Sequence, residues 1–438
     1  MSKDNHLQAL ADIAGPAAVN SEDSLPTWML PDVGIVSPGR VSEVQEIVKY
    51  CASERLSVGV AGAGTASFRS SRPDNLSVLV STLRLNQLTD FQPDDLVLAA
   101  EPGFTGAQAI ELLTPRNLLL TLDPPRFQRA TLGGIAAARS SGPARFSLGT
   151  PRDLLIGATV VNSAGEITKT GGKVVKNVSG YDLCKLYSGS YGTLGILVET
   201  VWRLSPRPDI SQALVARMPD WKAADRLVES IFDSDLLPRS IDALNGFAAS
   251  QLLDDVEENA LYLVIVFDGN QEQAASQVSI TEKLACDSGA TAEKITVLDA
   301  GWNSEFHTKL ASSCHPSGES TLLEIAGLSS QIPEIAGIIE GLSSSKAQIP
   351  AISAHAGNGI VRALYNSLPS DRLQELRLQL KDFAYQNPSL RVALFDWRGA
   401  SNEDTWISDT HGLEVMRRIR TNLDPNGLFA GGRYTGGL

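Results

Sequence analysis

GGKVVKNVSGYDLCKLYSGSYGTLGILVETVWRL, residues 171–204, ends in a glycine turn that feeds an apolar strand: Gly192-Thr193-Leu194-Gly195 runs into Ile196, Leu197 and Val198. Each strand residue carries one N–H and one C=O, so a strand entered through glycines can set bare polar backbone against the edge of a planar ligand. The stretch closes at Leu204. Beyond it Pro206 and Pro208 each remove a backbone donor and restrict the residue before them, which places a domain boundary near 206.

Two further glycine clusters lie upstream. A helix after Pro38, with Ser42 and Gln45 in the form of a capping box and Val44, Ile47, Val48 and Cys51 at helical spacing, leads to a short strand at 57–60. That strand runs into Ala61-Gly62-Ala63-Gly64-Thr65-Ala66-Ser67. A Gly-x-Gly after a strand also begins a Rossmann site, but here Ser67 stands where a third glycine belongs and residues 68–73 do not read as a helix. The other solution is a nest, in which successive backbone N–H groups hold a pyrophosphate and the Thr65 and Ser67 hydroxyls add donors. Taken alone, the loop is equally a tight structural turn.

The second cluster is LDPPRFQRATLGGIAAARSSGPARFSLGTPRD, residues 122–153. Thr131-Leu132-Gly133-Gly134 opens an alanine-rich helix whose first amides suit phosphates or a ring edge. Ser140, Ser141, Gly142 and Gly149 line the turn that follows, and Arg152-Asp153 is either part of the site or a local ion pair.

The three clusters in this order resemble the FAD-binding domain of vanillyl-alcohol-oxidase-type (PCMH) enzymes, and the KNVSGYDL segment at 176–183 is similar to the E-type subunit of bacterial glycolate oxidase (glycolate dehydrogenase). The resemblance is strong over 36–206 and at the C-terminus, and weak over 209–347. It implies an α+β fold, with a two-subdomain FAD-binding domain over 1–206 (subdomain boundary near 83–95) and an antiparallel-sheet cap over 207–397. A segment at 398–438 returns to the FAD domain through LDPNGLFAGGR, 423–433. The implied flavin contacts are Ala61, Gly62, Ala63, Gly64, Thr65 and Ser67; Thr131, Leu132, Gly133, Gly134, Ser140, Gly142, Gly149 and Asp153; and Gly195, Ile196, Leu197 and Val198.

Histidine commonly links FAD covalently in such enzymes, but His6, His307, His315, His355 and His411 all fall outside the body of the FAD domain. Cys184 is the one other candidate for attachment. The resemblance therefore implies non-covalent FAD. Related hydroxy-acid dehydrogenases carry a fuller histidine motif where this chain has Ala354-His355-Ala356-Gly357-Asn358-Gly359, with Arg362 in place of a second histidine. A lone imidazole does not make a metal site. His355 is either a hydrogen-bonded histidine at a strand end or a base beside the flavin, and Arg362, with Arg72, is a candidate for a substrate carboxylate.

Composition bounds the partners. With 438 residues, 43% hydrophobic and 20% charged, the chain suits a globular protein of two or three domains. A net charge of −13 disfavours nucleic acid. Four scattered cysteines, Cys51, Cys184, Cys286 and Cys314, contain no Cys-x-x-Cys pair and read as buried small hydrophobes. The N-terminal residues lack a secretory apolar core, and the apolar run 261–267 is too short to span a bilayer, so a cytoplasmic protein touching a membrane only through partners is expected. The resemblance implies those partners: a larger FAD-containing subunit and an iron–sulfur subunit that together oxidise glycolate or D-lactate. The alternatives are a non-catalytic flavin-binding assembly or relay subunit, and an independent FAD-linked dehydrogenase.

Past 206 the pattern alternates strands near 211–217, 261–267, 294–298, 351–355, 360–364 and 392–397 with helices near 220–231, 271–285, 334–342 and 371–385, before a final helix at 413–423. Such alternation suits an antiparallel sheet covered by helices.

Overall fold

A computed structural model describes residues 3–19, 33–71, 73, 75–172, 181–317, 320–342, 349–396, 405–407 and 412–438. Residues 173–180 of the opening stretch, Arg72, Trp397 and His411 lie outside these.

Three sheets organise the chain. The first is small and parallel, with Val78–Ser81 between Gly34–Val36 and Val58–Ala61. Helix Val41–Glu54 connects its outer strands and buries Val44, Ile47, Val48 and Cys51, the apolar spacing read from the sequence. Its start differs from expectation, because Arg40 is the N-cap residue and no side chain caps it. The Pro38-Gly39 turn starts the helix so that Ser42 falls inside it. Glu43 covers the freed amide of Gly39 at 2.7 Å, and Gln45 reaches across to the Gly165 carbonyl at 2.9 Å.

The second sheet is antiparallel, in the order Leu88–Gln92, Val97–Ala100, Ile196–Arg203, Leu155–Val161, Ile167–Gly171. Its last two strands form a hairpin around 162–165, where Asn162 Oδ1 accepts the Ala164 and Glu166 amides at 3.0 Å. Helix Gly106–Leu113 carries a capping box between Thr105 and Gln108, with both reciprocal bonds formed. The C-terminal tail docks on the first sheet: Phe429, fully buried, bridges Val58, and Asp424 accepts the Leu428 and Phe429 amides at 2.9 and 2.8 Å.

The third sheet has eight antiparallel strands in the order Ile295–Asp299, Ile210–Met218, Leu261–Gly269, Ser240–Asn245, Ala351–His355, Ile360–Tyr365, Thr321–Ala326, Arg391–Asp396. Helices Trp221–Phe232, Gln271–Asp287, Ile332–Gly341 and Ser370–Gln386 cover one face, burying alternate residues such as Ile241, Ala243, Leu323, Ile325, Val361 and Ala363. By the two-residue period of a strand, Asp242, Glu324, His355 and Arg362 belong to the other face. That face meets Phe68, from the turn after the glycine loop at 61–67.

Strands Ser240–Asn245 and Thr321–Ala326 go unread in the sequence, because each sets a carboxylate inside an apolar run and so shows no clean alternation. Cys51, Cys184 and Cys314 are buried as expected, whereas Cys286 is exposed near the end of its helix. Among the described residues no helix is long and apolar enough to cross a membrane.

Candidate functional site

The glycine clusters converge on one cleft of about 920 Å³. Strand Val58–Ala61 delivers the loop into it, and the absence of side chains there is enforced sterically. A Cβ on Gly62 would sit 2.2 Å from Thr131 Oγ1, and one on Gly133 would sit 2.4 Å from Pro102 Cβ. Gly64 has φ +69°, in the left-handed region that side chains disfavour. Thr131 caps helix Leu132–Ala138 by accepting the Gly134 amide at 3.2 Å, which orients the helix start toward the loop.

Of the residues expected at a flavin, Ala61, Gly62, Ala63, Gly64, Thr65, Ser67, Thr131, Gly133, Gly134, Gly195 and Leu197 line this cleft. Ser67 does so with its hydroxyl already committed, donating to the Gly64 carbonyl at 2.7 Å. The other expected positions do not line it. Leu132 is fully buried in the core, and Ile196 and Val198 point to the opposite face of their strand from Leu197, packing with Val44 and Phe429. Ser140 only closes the helix, its amide bonded to the Ile135 carbonyl.

Gly142 and Asp153 are structural for a clear reason. The Gly142 amide donates to buried Asp123 at 3.1 Å, and a Cβ there would meet the Asp123 carbonyl at 1.9 Å. Asp153 accepts both the amide and the hydroxyl of Thr150 at 2.8 Å, forming a capping box with Gly149 turning at φ +84° just before it. Neither reading of Arg152-Asp153, site or ion pair, matches this local cap.

Arg433 and Tyr191 line the cleft without having been singled out in the sequence. Arg433 comes from the docked tail and donates to the Val60 carbonyl at 3.0 Å and to Ser70 Oγ at 3.3 Å. Tyr191, with φ 54°, is buried against Tyr434 and accepts a hydrogen bond from Arg69. Burial raises its phenol above the ordinary value despite the opposing pull of Arg69.

Through Arg69 the cleft adjoins the charged face of the eight-stranded sheet. Arg69 donates to both oxygens of Glu324, at 2.7 and 2.9 Å. Arg362, directly across the strand pair from Glu324, donates Nε–H to it at 2.9 Å. Its terminal nitrogen lies 2.9 Å from His355 Nε2, and His355 Nδ1 lies 2.6 Å from Asp242, again its cross-strand partner. Arginine can only donate, so His355 Nε2 is an acceptor and its proton sits on Nδ1, toward Asp242.

The chain Asp242–His355–Arg362–Glu324–Arg69–Tyr191 thus spans four adjacent strands and two loops. Burial disfavours ionised Glu324, but Arg69 and then Arg362 outweigh it and hold the carboxyl far below the usual range. The same pairing raises Arg69 against its own burial. The two expected catalytic residues, His355 and Arg362, are therefore together, yet neither lines the cleft, and the base nitrogen of His355 is occupied by Arg362. Arg72 lies outside the described residues. Asp242, Glu324 and Arg69, which complete the network, carried no sequence signal beyond a charge in an apolar or serine-rich run.

Comparisons with known proteins agree with this cleft. Residues 33–171 match the family described as FAD binding domain. Glycolate oxidase subunit GlcD of Bacillus subtilis is 29% identical over 227 residues, 52% of this chain and 48% of that protein. Subunit GlcE of Escherichia coli is 34% identical over 143 residues, 32% of this chain and 41% of its own. The mitochondrial D-lactate dehydrogenase (cytochrome) of Arabidopsis thaliana is 25% identical, covering 92% of this chain and 73% of that protein. Among solved structures, p-cresol methylhydroxylase superposes with a TM-score of 0.76 at 16% identity, over 98% of this chain and 96% of its own, which is a likeness of fold.

Proposed function

Taking as premise that the chain is an FAD-dependent oxidoreductase homologous to glycolate oxidase subunits and D-lactate dehydrogenases, we propose that it oxidises a small 2-hydroxy acid, glycolate or D-lactate, to the 2-oxo acid. The observation that carries this reading is the arginine-rich sheet face joined to the cleft through Tyr191 and Arg69. When bound, FAD supplies a hydride acceptor for the substrate α-carbon.

The chain's own residues do the rest. Amides of Ala61 to Thr65 and the start of the Thr131-capped helix would hold the pyrophosphate, and Gly62 lets the loop lie against that helix start, because a Cβ there would meet Thr131 Oγ1. Tyr191 and Leu197 wall the cleft. The fit argues for FAD held without a covalent bond, since no histidine or cysteine lines the cleft among the described residues. On the sheet face, Asp242 holds the His355 proton and His355 steadies Arg362.

With no Cys-x-x-Cys pair to hold a cluster, the chain hands electrons to other proteins in this reading: a larger FAD-containing subunit and an iron–sulfur subunit, with this chain as the E-type subunit. A second reading is favoured by a separate observation. Because Arg362 occupies His355 Nε2, His355 does not stand ready as a base, which suits a flavin-binding assembly or relay subunit without turnover of its own.

Anaerobic addition of glycolate to the purified FAD-loaded chain separates the two. Loss of the oxidised flavin band without partners supports turnover in this chain, and an unchanged band supports the relay reading.

A further inference from the structure

Glu324 accepts three hydrogen bonds, two from Arg69 and one from Arg362. One more cation faces this group. Arg145 opens the short helix Arg145–Leu148, which is fixed against the sheet on both sides of its first turn. Phe146 packs on Gly357, where a Cβ would come within 2.4 Å of its ring, and it stacks with Phe232 at 6.1 Å. Ser147 donates to the Arg239 carbonyl at 3.0 Å. Immediately before the helix, the Ala144 amide is tied to Asp123 at 2.8 Å.

Arg145 is thereby held beside Arg362, Glu324 and Arg69, which all act on its charge. Its guanidinium forms no hydrogen bond or ion pair among the described residues, and the residue is half-buried. Burial, with Arg362 and Arg139 adding repulsion, brings it down to about 10, where it is still charged at neutral pH. Three arginines around one carboxylate leave an excess of positive charge, and Arg145 is the member with no anion of its own.

We propose that Arg145 is the receptor for a carboxylate, that of the 2-hydroxy acid, and that Arg362 is a positioning residue engaged with Glu324 and His355. The inference rests on the hydroxy-acid reading for the identity of the anion. A planar guanidinium pairs with a carboxylate through two parallel N–H bonds, and the neighbouring arginines strengthen attraction for any anion entering. A phosphate of the cofactor is the other source of such an anion, but Arg145 does not line the cleft that the glycine loop forms.

The test is calorimetric titration of the FAD-loaded chain with oxalate, a small carboxylate that cannot give up a hydride. Arg145→Gln is expected to weaken oxalate binding at least tenfold with bound FAD unchanged, while Arg145→Lys, which keeps the charge and guards against misfolding, gives an intermediate loss. Affinity within twofold of the parent in Arg145→Gln overturns the proposal, and so does loss of FAD from that variant, which would assign Arg145 to the cofactor phosphates. The outcomes stay separable from the parent reading. Oxalate binding that needs Arg145 in a chain whose flavin glycolate never bleaches sustains the carboxylate site and removes turnover. Bleaching with unaltered affinity in Arg145→Gln does the reverse.

Discussion

The cleft and the sheet face beside it solve opposite problems. The cleft is built from backbone and absence: Gly62, Gly64, Gly133 and Gly195 line it without side chains, and Arg433 is the one cation lining it among the described residues. The sheet face is built from buried charge, with Asp242, His355, Arg362, Glu324 and Arg69 linked to one another in a chain. A backbone cradle tolerates no added side chain, whereas a closed charge network tolerates no removed one. Substitutions therefore act in opposite ways on the two regions.

The largest effect is expected in the cleft. Gly62→Val drives a side chain into Thr131 Oγ1, and FAD recovered per chain should fall more than tenfold while the far-ultraviolet circular dichroism stays that of the parent. Retention of FAD by this variant would break the contrast.

Next comes Glu324→Ala, which leaves Arg69 and Arg362 buried without their anion. Removing one partner of a buried ion pair costs about 3–5 kcal/mol, read from the denaturant midpoint, and FAD content of the folded fraction should stay near the parent's. Equal loss of FAD in both variants would erase the distinction between the regions.

Acid sharpens it further. Burial first, then Arg126, Arg362 and Arg69, push His315 down to about 3 in the folded chain against an ordinary value near 6.5, so the unfolded chain binds more protons between those limits. His315 therefore contributes stability fully present above about pH 6.5 and lost as pH falls toward 3. Glu324, also depressed, adds loss below its own unfolded value near 4.5. Thermal unfolding followed from pH 8 to 4 should show a flat upper range and a falling lower one, and His315→Gln should flatten the slope between 6.5 and 4.5.

The smallest effect is expected away from both regions. Thr105→Ala removes one half of a formed capping box and should cost about 1 kcal/mol without altering FAD content.

The two regions were also unequally legible in the sequence. Glycine runs beside strands, the Thr131 cap and the apolar run of 196–198 are local signals, and they found half of the cleft lining. At Gly142, Gly149 and Asp153, which do not line the cleft, the same residue types serve turns and caps, which local sequence does not distinguish from ligand contacts. Tyr191 and Arg433 escaped notice because their place in the cleft depends on how a loop and the chain's tail dock. The charged face was nearly silent. His355 and Arg362 stood out through a motif, but Asp242 and Glu324 become their partners only through cross-strand register over 113 and 38 residues of chain. Of the two readings of His355, that pairing matches the hydrogen-bonded histidine at a strand end, since its Nε2 faces an arginine and not the cleft.

The cradle is the foundation of the whole account, and its occupant can be read in one step. The purified chain is denatured in acid, the precipitate removed, and the supernatant assayed for flavin by absorbance and chromatography. About one FAD per chain, all of it in the supernatant, is the expected result. Flavin retained in the pellet, or a stoichiometric nicotinamide nucleotide in place of flavin, would contradict it.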